Sequence, residues 1–379
     1  MLARVQAVND QQALECELIA FYLPQFHPVP ENDAWWGKGF TEWTNVAKTR
    51  PRFPGHQQPH LPAELGFYDL RVPEVREQQA QLAIEHGITA FCYYHYWFAG
   101  RRILERPFNE VLDSGKPDFP FLLCWANENW TRVWDGGVDD VLLAQDHSRD
   151  DDVAHLRSLL PAFADPRYLR VEGKPVFLVY RAALLPDVRR TLDTWRQEAR
   201  RHGIGELYLC RVDGTARERA QDLAEQGFDA AVDWIPDHSQ QGRGQRWGRG
   251  WGASRRLGLT HKGYGDNQVV PYERVVENML ARPEPTYLRH PCVTPSWDNS
   301  ARRASNAFIT QGATPELYGA WLETAVSRVL DRPAGPKLVF VNAWNEWAEG
   351  NHLEPDARWG RGYLEAHRDA LARVHRQRR

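Results

Sequence analysis

A chain of 379 residues is long enough for one large domain or two ordinary ones. With 42% hydrophobic and 26% charged residues it has the make-up of a globular protein. A net charge of −3 gives no electrostatic footprint for nucleic acid, and no 18-residue apolar run exists to make a membrane helix. The N-terminus, "MLARVQAVNDQQALECE", lacks the apolar segment of a signal peptide, so a cytoplasmic location is expected. The five cysteines contain no CxxC. Cys92, Cys124 and Cys210 fall in apolar runs and read as reduced core thiols.

In chain order, "ELIAFYLPQF" (17–26) opens as a strand. "RVPEVREQQAQLAIEHG" reads as a helix with Pro73 in its first turn and Gly87 closing it. "ITAFCYYHYW", "FPFLLCWANENW" (119–130) and "KPVFLVYR" (174–181) follow as strands two to four. "DVRRTLDTWRQEARRHG" places Leu192, Trp195 and Ala199 at helical spacing before Gly203. "ELYLCR" (206–211) is strand five, "TARERAQDLAEQG" a helix, "FDAAVDWIP" strand six and "HPCVTPSWDN" (290–299) a weaker strand seven. "TPELYGAWLETAVSRVL" begins at an N-cap, Thr314, with Pro315 in the first turn. "KLVFVNAW" is strand eight, and a last helix starts near Tyr363. Short apolar strands alternating with helices to a count of eight predict a single (β/α)8 TIM barrel over residues 1–379. An open doubly wound sheet would show a glycine-rich turn after its first strand, and "FYLPQFHP" has none. Long loops follow strand one (24–70) and strand six (236–275), on the face where barrels build active sites.

Polar and aromatic residues collect at the strand ends. Strand one ends in Tyr22 and Gln25, and strand two in Tyr94, His95, Tyr96 and Trp97. Strand three ends in Trp125, Asn127, Glu128 and Trp130, strands four and five in Arg181 and Arg211. Strand six ends in Asp233 and Trp234, and strand seven in Trp297 and Asp298. Strand eight runs into "VNAWNEWAEG", which carries Asn342, Trp344, Asn345, Glu346 and Glu349. Amides and carboxylates match sugar hydroxyls, indoles stack on sugar rings, and glycosidic chemistry needs a pair of acid/base groups. Each residue also has a structural reading. Either glutamate could pair with Arg358 or Arg361, Glu128 could be an ion-pair partner, and His95 could be a core histidine. "HQQPH" (56–60) has metal-like spacing, but Pro59 forbids a helix, and no metal or cofactor is expected. "RDDDVAHL" (149–156) resembles an acidic metal motif, yet acidic residues also suit a helix start.

"AFYLPQFHPVPENDAWWGKGFTEWTNV", "FCYYHYWF", "LCWANENWTR" and "NAWNEWAEGNHLEPD" resemble the WbsX-like proteins, relatives of glycoside hydrolase family 99, over roughly residues 17–365. The resemblance implies a (β/α)8 barrel and a carbohydrate substrate, with Glu346-Trp347-Ala348-Glu349 matching that family's Glu-Trp-x-Glu motif. It implies Glu346 as the base on the sugar's own 2-hydroxyl, giving a 1,2-anhydro sugar, and Glu349 as general acid and then base. The third motif position, usually histidine in that family, is Ala348 here. The residues expected to bind the sugar are Tyr22, Gln25, Trp43, Tyr94, His95, Tyr96, Trp125, Asn127, Glu128, Trp297, Asn342, Trp344 and Asn345. Three functions stay open: a retaining glycoside hydrolase, a glycosyltransferase in surface-polysaccharide assembly, and a non-catalytic carbohydrate-binding barrel. For the two glutamates the expectation is unequal settings. Glu349 should be the less polar, and Glu346 should accept a hydrogen bond from Asn345 or a tyrosine.

Overall fold

The computed structural model describes residues 14–132, 137–235 and 262–379. Among them the parallel barrel strands are β1 Glu17–Tyr22, β2 Ala90–Phe98, β3 Phe121–Trp125, β4 Lys174–Val179, β5 Tyr208–Asp213, β6 Ala230–Asp233, β7 Arg289–His290, β8 Cys292–Val293 and β9 Leu338–Val341. Their hydrogen-bonded order is β7-β6-β5-β4-β3-β2-β1-β9-β8. β7 and β8 are one stretch of chain divided by Pro291, which has no N–H to give to a ladder. The Pro291 carbonyl still accepts from the Phe340 amide at 2.8 Å. β7 pairs with β6 and β8 with β9, so this stretch closes the ring. The seventh strand is therefore shorter than the run 290–299, and the chain turns at Pro295 rather than continuing.

Helices α1 Pro73–Glu85, α2 Arg106–Ser114, α3 Arg149–Ala164, α4 Val188–Arg201, α5 Leu223–Gln226, α6 Tyr272–Leu280, α7 Pro315–Leu330 and α8 Gly362–Arg378 alternate with the strands. This is the (β/α)8 barrel architecture. The acidic run 150–152 sits in the first turn of α3, where Ser148 Oγ accepts from the Asp151 amide. Asp151 takes the Trp97 indole N–H at 3.0 Å, and Asp152 takes the Thr191 hydroxyl at 2.9 Å. These carboxylates are consumed in helix docking. Gly87, after α1, has φ +86, a backbone conformation that favours glycine, and a Cβ there would lie 2.6 Å from the Leu371 Cδ1 methyl on α8, which would have to shift.

Successive strand side chains face opposite ways, and the barrel shows this sharply. Phe21 points inward and meets Tyr94, Trp234 and Phe340 at ring-centroid distances of 5.7, 5.3 and 5.6 Å. Its neighbour Tyr22 points outward, packs on Tyr93 at 4.5 Å and donates to Gln79 Oε1 on α1 at 2.6 Å. The loop after β1 carries two short helices, Pro30–Trp36 and Glu42–Lys48, and is held by a Leu70 amide bond to the Phe26 carbonyl at 3.0 Å. The Gly/Arg/Trp-rich part of the loop after β6, residues 236–261, lies outside the described residues. All five cysteines are buried and free. Among the described residues no helix is long and apolar enough to cross a membrane.

Candidate active site

A cavity of about 780 Å3 opens at the C-terminal mouth of the barrel. Leu23, Tyr94, Tyr96, Ala126, Tyr180 and Trp234 line it from the strand ends. Trp35 and Trp36 come from the β1 loop, and Trp130, Thr131 and Leu142 from an antiparallel pair, Trp130–Arg132 with Gly137–Leu143. Trp35 and Trp130 meet edge to face at 5.8 Å, giving the mouth an aromatic rim. Gln25, Glu128, Trp297, Glu346 and Glu349 also line this cavity.

Glu346 and Glu349 lie in the chain segment just beyond β9, where a 3-10 turn, Trp347–Glu349, brings the two carboxyl groups to one side. Behind them Trp347 is locked. Its indole donates to Glu354 at 2.6 Å, and its ring stacks on His352 at 3.7 Å. Glu354 is buried and also accepts from Tyr68 Oη at 2.9 Å and Gln79 Nε2 at 2.6 Å. Burial pushes the Glu354 carboxyl up to about 7 despite these donors.

The groups that face the catalytic candidates differ from expectation. Arg302, between β8 and α7, donates Nη2 to Glu346 Oε2 at 2.9 Å and holds Nη1 2.8 Å from Glu349 Oε1. Its Nη2 also lies 3.2 Å from Glu42 Oε2. Arg358 lies over the Trp359 ring instead, and Arg361 pairs with Glu64 at 2.7 Å. Burial pushes both glutamates up, Glu346 to about 8, while Arg302 pulls both down. Each also feels Glu42 as a like charge, and Glu349 raises Glu346 further. Glu349 is raised by burial as expected, but Glu346, expected to be ionised in a more polar setting, is raised by burial as well. Asn345 cannot be the donor to Glu346, because its amide is spent on the Leu23 backbone.

Of the remaining candidates, some point into the cavity and some do not. Tyr94, Tyr96, Gln25, Glu128 and Trp297 do. The Gln25 Nε2 and Trp297 Nε1 donors are buried and have no hydrogen-bond partner among the described residues. Glu128 is half exposed and bonded by Arg181 Nε at 3.1 Å. Tyr22, His95 and Trp125 face the helix layer. His95 Nε2 lies 2.9 Å from His155 Nε2 on α3, and Trp125 meets His155 at 4.5 Å. Alternation is the reason: in 94–96 and 124–126 only every second side chain can enter the barrel. Asn127, Asn342 and Asn345 are backbone clips. Asn127 binds the Arg181 N–H and carbonyl at 2.7 and 2.9 Å, and Asn342 donates to the Ile235 carbonyl at 2.6 Å. Trp344 is fully buried against Phe91, and Trp43 donates to the Tyr68 carbonyl at 2.7 Å while packing behind Trp347. Among the other strand-end charges, Arg211 pairs with Asp213 at 2.8 Å and Asp233 with Arg282 at 2.7 Å. His56 and Gln58 both bond Asp298, and His60 lies 3.0 Å from His352, which accounts for the histidines of "HQQPH". The residues missed from sequence are Arg302 and Glu42. The signal was present in "DNSARRAS", a pair of arginines in a loop after a barrel strand, in a chain whose candidate motif carries two acids.

Over 96% of the chain, two protein sequences named WxcX, from strains of Xanthomonas campestris pv. campestris, are 47% identical to it. The chain spans about half the length of these curated relatives, 50% of each. The fold is shared with the glycoside hydrolase family 99 endo-alpha-mannosidase of Bacteroides thetaiotaomicron, at a TM-score of 0.58 and 14% identity, covering 96% of this chain and 98% of that one. A structure described as a glycoside hydrolase-like protein matches with a TM-score of 0.57 at 14% identity, covering 95% of both chains. Residues 18–367 match the family model described as Glycosyltransferase WbsX, and the chain belongs to that family.

Proposed function

We propose that this chain is a carbohydrate-active enzyme that breaks a glycosidic bond in an oligo- or polysaccharide with retention, using Glu346 and Glu349. The observation that carries this reading is the pair itself: two elevated carboxyl groups, Glu346 buried and Glu349 half-buried, under one guanidinium at the base of an aromatic-rimmed cavity. A pair that keeps one proton between its members has an acid and a base at once, which is what a two-carboxylate glycosidase requires.

In the first step Glu346, after the pair's proton has passed to Glu349, takes the proton of the sugar 2-hydroxyl as O2 attacks C1. The C1–leaving-group bond breaks, and Glu349 gives its proton to the departing oxygen. In the second step Glu349 takes a proton from an incoming hydroxyl, that oxygen bonds C1, the C1–O2 bond breaks, and O2 regains its proton from Glu346. Tyr94 and Tyr96 are kept as neutral phenols by burial and the nearby Glu346 charge, so they serve as hydrogen-bond donors to sugar oxygens. Trp234, Trp297 and the Trp35–Trp130 rim offer faces and edges for the rings.

A second reading is transfer to a sugar acceptor in surface-polysaccharide assembly, which the family's name favours. With a glycan donor the two differ only in whether water or an acceptor hydroxyl opens the intermediate; with a sugar-nucleotide donor the leaving group also differs. The test is to incubate the protein with polysaccharide fragments, and separately with sugar nucleotides plus an acceptor glycan, and to follow products by mass spectrometry. Shortened glycan marks a hydrolase and extended acceptor marks a transferase. Products formed equally by Glu346→Gln and Glu349→Gln would overturn both.

A further inference from the structure

One guanidinium at this site serves three carboxylates. Besides the two motif glutamates, Arg302 meets Glu42, which comes from the distant β1 loop and is fully buried, at 0% exposure. Arg302 Nε lies 3.3 Å and Nη2 3.2 Å from the same Glu42 oxygen, Oε2. The three contacts fix the planar fork: one edge is held by Glu42, and the two terminal nitrogens are aimed at Glu346 and Glu349. A fully ionised set would leave two uncompensated negative charges in a buried cluster, which is very costly. The cluster is relieved by keeping a proton on the motif pair.

We propose that Arg302 and Glu42 are positioning residues that hold the Glu346–Glu349 pair in its singly protonated state, Arg302 by its charge and Glu42 by orienting and partly neutralising that charge. The inference rests on the proposed roles of the two glutamates but is measured independently of them. Its consequence is a pair of opposite effects. Removing Arg302 takes away the cation that favours ionisation, so the pair should release its protons at higher pH. Removing the Glu42 charge takes away a competing anion, so the pair should release them at lower pH. The other groups facing the pair are Tyr94 and Tyr96 from β2, Tyr180 after β4 and Arg303 beside Arg302. The phenols are held neutral by burial, and both substitutions leave all four in place.

The experiment is carbon-13 NMR titration of the glutamate side-chain carboxyls in the full chain, with Glu346→Gln and Glu349→Gln used to assign the pair. Arg302→Met should move the titration of the pair upward by about one pH unit or more, and Glu42→Gln should move it downward. Arg302→Lys should restore part of the shift, since it returns the charge but not the fork. Where the chain turns over a substrate, the acid limb of kcat against pH should move in the same two directions, with a smaller change in KM. A purely structural role predicts loss of folded protein or shifts of the same sign. Equal titrations in folded Arg302→Met and Glu42→Gln, or movement of both in one direction, would overturn the proposal. Opposite shifts in a protein that acts on no glycan would leave the charge clamp standing and defeat the functional reading instead.

Discussion

Asn345 grips the backbone of Leu23 with both ends of its amide: Oδ1 accepts from the Leu23 N–H at 2.7 Å, and Nδ2 donates to the Leu23 carbonyl at 3.0 Å. The bond ties the segment carrying Glu346 to the end of β1, across the point where the chain's last barrel strand meets its first. Asn127 does the same to Arg181 between β3 and β4. A side-chain amide is suited to this because it offers a donor and an acceptor in the geometry of a peptide. Asn345→Ala strands two buried backbone groups and should cost on the order of 2–3 kcal/mol in urea unfolding. Asn345→Asp keeps the acceptor but sets a buried carboxylate oxygen against the Leu23 carbonyl, so it should cost at least as much as alanine at neutral pH. An alanine variant within about 0.5 kcal/mol of the parent, the ordinary range of neutral surface changes, would show that the clip adds nothing.

The proposed chemistry distinguishes the two glutamates by substrate. Glu346→Gln and Glu349→Gln should each lower turnover by about 10² or more. An activated leaving group needs little protonation, so it should rescue the first step in Glu349→Gln and not in Glu346→Gln. A 2-deoxy substrate has no nucleophile at C2 and should not turn over at all. Normal cleavage of that substrate excludes the anhydro-sugar route.

The raised Glu346 carboxyl has a stability signature. Its folded value of about 8 lies above the unfolded carboxylate range, so the folded state binds more protons between about pH 4.5 and 8. The Glu346 contribution to stability therefore falls as pH rises through that window. Glu346→Gln removes the cost while Gln can still accept from Arg302. Its melting temperature should match the parent near pH 4.5 and exceed it increasingly toward pH 8. A constant offset across that range would contradict the elevation.

His95 and Gln25 should fail in opposite ways. His95 lies in the helix-facing layer against His155, where burial pulls both imidazoles down, His155 to about 3. His95→Ala should lower stability by roughly 1–3 kcal/mol with KM unchanged, as loss of a buried polar contact does. Gln25 carries a buried, unpartnered donor at the cavity wall. Gln25→Ala should leave stability near the parent, because an orphan donor is removed, and should raise KM. Ligand titration and urea unfolding on the same two proteins decide between these assignments.

Strand periodicity, helix caps and the order of apolar runs are local properties, and they determined the barrel from sequence. The Thr314 cap, the Pro73 helix start and the run "KLVFVNAW" each form where their own residues require it. The position of Glu346 and Glu349 beyond the last strand was legible for the same reason. Which neighbours reach the cavity was not. Residues 94, 95 and 96 look alike as a polar aromatic run, yet strand parity sends His95 outward and its neighbours inward. Parity is fixed only once the register of β2 against β1 and β3 is fixed, and that depends on the closed ring. The charge partners were hidden for a second reason. Glu42 and Arg302 are 260 positions apart and reach each other only because both loops end over the same barrel mouth. A carboxylate's proton affinity depends on charges within a few ångströms rather than on charges nearby in sequence, so the sequence supplied the two glutamates and the tertiary structure supplied the charges around them.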